Sequence, residues 1–199
     1  MRLVPALMGV VLAAYPGAST FLSAQTISIR TAHDFPGEQQ AKAQLERLLN
    51  QYEMTRYTFT HDILIEERPI PRSHPVLTLN TRHLGQDDEA LSACLYEQIH
   101  WFLSGRERQT EAAEAELEGL YADPPVGGED GARDLESDYL HLIVCELERE
   151  ADLQLLGAER AAAFMRFRAG DHYRWIYRTV IADHDKMQAV IKSHSLEIP

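Results

Sequence analysis

Positive charge is scarce in this chain. Its 199 residues include 19 Lys and Arg against 31 Asp and Glu, a formal charge of −12. Phosphate binding needs clustered Lys and Arg, so this balance excludes a nucleic-acid surface as the expected partner. Long apolar runs are also missing. The run Leu3 to Tyr15 is shorter than the roughly 20 residues of a membrane span, so no stable span is expected in the mature chain. Internal repeats and low-complexity segments are absent too. Cysteine is limited to Cys94 and Cys145, which either form one disulfide or serve as two small buried thiols. What remains, 45% hydrophobic and 25% charged residues, fits one soluble globular domain.

The N-terminus has the order of an export signal. Arg2 precedes the apolar run, and small residues follow around Gly17–Ser19 and Ser23–Ala24. The expectation is a signal peptide over 1–24, with Ser19 an alternative cleavage point, and a mature domain over 25–199 in the periplasm or outside the cell. A short buried helix is the competing account. No Cys follows the run to carry a lipid anchor.

Beyond the leader the pattern predicts an α+β fold. Gln25–Ala32 alternates like a short strand, and Leu45, Leu48, Leu49 and Tyr52 give Glu38–Tyr52 a helical stripe. Two β-rich runs follow, Tyr57–Glu66 and Pro75–Thr81, joined through Arg68-Pro69-Ile70-Pro71-Arg72, which is too long and proline-rich for a tight hairpin. The next helix, Ala90–Gly105, starts behind three acids that suit its dipole and ends at glycine. Arg106–Tyr121 has the composition of a solvated helix, and Asp123–Ala132 that of a loop, either an insertion or a lid. A second long helix is predicted over Asp134–Gly157. A single C-terminal helix is predicted over Asp171–Ser193, with Tyr173, Ile176, Tyr177, Val180, His184, Met187 and Ile191 as core. On this account His172, His184 and His194 are packing or surface residues.

Chemistry concentrates on the two long helices. Leu91, Leu95, Ile99 and Phe102 form the apolar stripe of the first, and Tyr96-Glu97-Gln98-Ile99-His100 lies beside it. This is H-E-x-x-H with its first histidine replaced, a motif in which two imidazoles four apart bind zinc and the glutamate polarises a water. On the second helix Leu140, Val144, Leu147, Ala151 and Leu155 form the stripe. His141, Cys145, Glu148 and Asp152 share a neighbouring face, either as metal ligands or as a satisfied polar edge.

The order of strand unit, Y-E-x-x-H helix and acid-bearing helix resembles the zincin metallopeptidases, in particular the glutamate-zincins, whose third ligand is a Glu in E-x-x-x-D. Glu148-Arg149-Glu150-Ala151-Asp152 matches that pattern. The chain is similar as well to an uncharacterised bacterial group with an H-E-x-x-H-W helix and a later H-L-I-V segment, here Glu97 to Trp101 and His141 to Val144. The resemblance covers about 57–155. It implies zinc as cofactor, Glu97 as general base and a peptide or protein substrate held by strand addition along Pro75–Thr81. Tyr96 leaves three outcomes. His141 completes a site with His100 and Glu148; Tyr96 binds as phenolate; or the metal is lost and the fold serves as a binding module.

Overall fold

The computed structural model describes residues 27–199. The expected leader 1–24 lies outside them. Three short strands, β1 (Ser28–Thr31), β2 (Asp62–Ile65) and β3 (Leu77–Leu79), form one sheet in the order β1-β2-β3. Both pairings are parallel, with Ile29 beside Ile63 and Ile63 beside Leu77. A parallel pair cannot be closed by a hairpin. Helix α1 (Pro36–Gln51) therefore crosses from β1 to β2, and the proline-rich segment crosses from β2 to β3.

Glu38 fixes the start of α1. Its carboxylate accepts the backbone N–H groups of His33 (2.8 Å), Glu67 (3.1 Å) and Phe35 (3.4 Å). Burial alone would raise this carboxyl, but those bonds outweigh it and hold it below its ordinary range. The side chain thus ties the ends of β1 and β2 to the helix between them.

Side chains two apart on a strand share a face, so Ile63 and Ile65 lie with Leu77 and Leu79 on one side of the sheet. Leu45 of α1 and Cys94 of α2 (Asp87–Ser104) pack into that cluster. The predicted α2 stripe is fully inside: Leu91, Leu95 and Ile99 are inaccessible and Phe102 nearly so.

Helices make up the rest: α3 (Glu107–Leu120), α4 (Leu135–Leu156), α5 (Ala158–Asp171), α6 (Arg174–Ala182) and α7 (His184–Ser193). Helix α4 is the pillar, touching α2, α3, α5, α6 and α7. Surrounded in this way, it buries far more than a stripe, including Asp138, His141, Glu146, Glu148 and Asp152.

One expectation needs correction, and two open alternatives are resolved. The C-terminal helix is broken. Tyr173 adopts a left-handed conformation (φ 51°), and a second break falls at Asp183, whose carboxylate takes the Tyr121 hydroxyl and Lys186. Ile176, Tyr177, Val180, Met187 and Ile191 are in the core as expected, whereas Tyr173 lines a cleft and His184 is half-buried beside Glu146. The loop around 123–132 is docked: the carbonyls of Glu129 and Asp130 accept the first N–H groups of α6, at 3.0 and 3.1 Å. Gly131 is required there, since a Cβ would lie 1.5 Å from the Pro125 carbonyl oxygen. Finally, Cys94 and Cys145 are separate buried thiols. They sit in different clusters, one against the sheet and one in the helical core.

Candidate functional site

Helix α2 turns Ala93, Tyr96, Glu97 and His100 toward a cleft of about 630 Å³. The opposite wall holds His141 of α4, Arg168 of α5, and His172 and Tyr173 from the α5–α6 link. Segments around Arg68–His74 and Asn80–His83 form the rim. Tyr173 lines this cleft in its left-handed conformation, which is costly for a bulky side chain and is characteristic of functional sites.

The motif residues behave as a buried, weakly partnered group. The ring centroids of His100 and His141 are 5.3 Å apart; Tyr96 lies 5.1 Å from His100 and 6.0 Å from His141. Burial, reinforced by His141 and His74, drives the His100 imidazole down to about 3, so it is neutral at physiological pH. Burial lowers His141 in the same way. Its Nδ1 lies 2.5 Å from the Ser137 carbonyl oxygen, and only an N–H can satisfy that contact. Nε2 is then the ring's free acceptor.

Glu97 is 5% exposed, and its carboxyl has no hydrogen-bond partner among the described residues. Burial, then the charge of Glu148, lifts it to about 8 against the opposing pull of Arg168. It is a mostly neutral acid at pH 7. Burial also holds the Tyr96 phenol well above its ordinary value, so it remains protonated.

Glu148 has a different job. Its Oε1 is 2.8 Å from Ser92 Oγ, and its Oε2 accepts the Tyr177 hydroxyl at 2.7 Å. Tyr177 in turn accepts from Arg168 Nε at 3.0 Å, so Glu148 is the counter-charge of a buried guanidinium. Asp152 also lies 2.8 Å from Ser92 Oγ. One hydroxyl carries one hydrogen, so one of the two carboxyls must supply its own. Asp152 fits, since burial and Glu148's charge raise it well above its normal range. Glu148 is not among the residues lining the cleft.

Three donors expected to meet, His100, His141 and Tyr96, are therefore brought together, while Glu148 is committed behind them. Two neutral imidazoles suit zinc, whereas a phenol binds only once deprotonated, which burial opposes at Tyr96, and catalytic sites usually have three protein ligands. The donor set does not fit a catalytic zinc centre. Among the described residues, a His/Cys/Asp/Glu set with donor atoms within 4.8 Å of one another is Glu146, Glu150 and His184. Arg149 contacts both carboxylates, and Arg149, His184 and Gln188 all meet the same oxygen of Glu146, Oε1, while its Oε2 is buried without a partner.

The strand-addition edge is also taken. The Thr78 N–H donates to the Arg72 carbonyl at 2.7 Å, and the Thr78 carbonyl accepts from the Arg72 N–H at 3.0 Å. The chain's own Arg72 lies antiparallel to β3. Pro69 and Pro71 beside it lack N–H donors and blunt the new edge.

Compared with family models, curated proteins and solved structures, the chain has no match.

Several cleft residues were not foreseen from the sequence. Tyr173 was expected in the core and His172 as packing or surface, Arg168 comes from α5, which was not predicted, and His74, His83 and the rim arginines come from loops. The spacing of Arg68-Pro69-Ile70-Pro71-Arg72-Ser73-His74 was the one local signal, a cationic cluster in an acidic chain.

Proposed function

We propose that this chain is an exported, zincin-like binding module whose cleft holds a short peptide without hydrolysing it. The observation that carries this reading is the fate of Glu148. The expected third ligand is the counter-charge of Arg168, while the first ligand position carries a phenol. The cleft keeps the volume and the convergent polar groups of a ligand site, within the roughly 300–1,000 Å³ range of such pockets. The order of crossover sheet, motif helix and buried acid-bearing helix supports the zincin-like comparison, and the leader-like N-terminus supports export.

A second reading, zinc-dependent peptide hydrolysis with Glu97 as base, is favoured by one observation: the close approach of the neutral His100 and His141 rings. Elemental analysis separates the two. Under zinc excess the wild type should hold well under one zinc per chain, and Tyr96→His should take up more by restoring an imidazole. A wild type that binds one zinc, loses it in His100→Ala and cleaves peptides would reverse the order of the two readings. Intact mass of the exported protein checks the leader, with removal near Ala24 expected.

A further inference from the structure

We propose that the cleft selects an acidic ligand, a short peptide whose Asp or Glu carboxylates seat against Arg68, Arg72 and Arg82. This rests on the peptide-binding reading. The cleft is lined by four arginines, Arg68, Arg72, Arg82 and Arg168, and by one acid, Glu97, in a chain of formal charge −12. Local charge is thus opposite in sign to the molecule's.

The surplus lies on the rim. Arg168 is spent internally, through Tyr177 on Glu148. Arg82 contacts Asp171 at 2.7 Å, a carboxylate that also meets His172 at 2.7 Å and lies 3.9 Å from Arg168, so the Arg82 fork is paired on one side and open on the other. Arg72 reaches Glu66 at a loose 3.3 Å. Arg68 is exposed and has no carboxylate within ion-pair distance among the described residues. The side chains of Arg72 and Arg82 are 44% and 52% exposed, so their donor forks remain reachable.

Guanidinium suits this role. It stays charged at every relevant pH, and its planar fork pairs with a carboxylate through two parallel hydrogen bonds. Ile70, 85% exposed between Arg68 and Arg72, offers an apolar contact for the methylenes between such carboxylates. Beyond the cleft the acidic surface would repel a long polyanion, so the cleft favours a short acidic segment over a nucleic acid.

The test is fluorescence anisotropy with the full chain and three fluorescein-labelled hexapeptides: alternating Asp-Glu, its Asn-Gln counterpart, and hexalysine. The acidic peptide should bind at least about tenfold tighter than the amide one and weaken with added salt. Arg72→Gln and Arg82→Gln should each weaken it by about tenfold, the loss of one charge-assisted contact. Arg72→Lys should lie between Gln and wild type, because it keeps charge and loses the fork. Arg30→Gln, whose ion pair with Asp62 lies outside the cleft, should change nothing. Equal or tighter binding of the amide or lysine peptide, or an equal loss in Arg30→Gln, overturns the acidic selectivity and leaves the binding reading standing. If none of the three binds at millimolar concentration, both fall.

Discussion

The two ends of the α2–α4 contact each hold a buried glutamate and a tyrosine, and they have different surroundings. Behind, Ser92, Glu148, Tyr177 and Arg168 form a hydrogen-bonded chain that Asp152 joins through one oxygen, its other oxygen being buried without a partner. In front, about one helical turn along α2, Glu97 has no partner, and Tyr96, His100 and His141 meet mainly through their rings. Buried polar groups that are fully paired hold a fold together; those left unpaired are an expense that stability alone does not explain. The difference sorts structural acid from candidate functional acid where residue type cannot.

Breaking the rear network should have the largest effect. Glu148→Ala leaves Arg168 buried without its counter-charge, and we expect a loss of about 3–5 kcal/mol in urea unfolding. Tyr177→Phe deletes the hydroxyl that links Arg168 to Glu148 and should cost about 1–3 kcal/mol by the same measurement. If Glu148→Ala is instead neutral while zinc or peptide binding collapses, Glu148 belongs to the front group and the comparison fails.

The pH dependence sharpens the same contrast. Asp152 and Glu97 both have folded values raised above the roughly 4 of an unfolded carboxyl, Glu97 to about 8. For a raised acid the folded state keeps a proton that the unfolded state has released. The stability from these groups is therefore full below about pH 4 and is lost as pH climbs toward their folded values. Thermal unfolding from pH 5 to 8 should show that decline. Asp152→Asn, neutral throughout, should flatten its share.

The smallest effects belong to the front. Glu97→Gln removes a buried acid with no partner, so its melting temperature at pH 8 should equal or exceed that of the wild type, the mark of a residue kept for something other than stability. His100→Ala should cost less than Glu148→Ala, since its neutral ring has no hydrogen bond to lose among the described residues. A loss in Glu97→Gln as large as that in Glu148→Ala would erase the distinction.

The helices α1, α2 and α4 were legible because spacing of three and four is a property of the chain itself, and α3 from its charged composition. The front of the site was legible for the same reason, since Tyr96 and His100 are four apart on one helix. The split of the C-terminal segment was hidden. Apolar spacing continues across Tyr173, and nothing in the local sequence announces a left-handed tyrosine. The role of Glu148 was hidden too: seven residues from His141, it shares a face but lies about 10 Å along the axis. Whether it turned toward the cleft depended on Ser92 and Tyr177, which are 56 and 29 residues away.

By itself, then, the sequence determined which residues could stand on one helical face, because that follows from backbone geometry over a few residues. It determined the acidic balance, because charge is a sum over composition. Only the tertiary structure decided which acid was consumed by a buried arginine, which was left facing a cleft, and where an acidic chain gathers four arginines. Those outcomes depend on pairings between distant segments, and burial sets their energy only after the helices have packed.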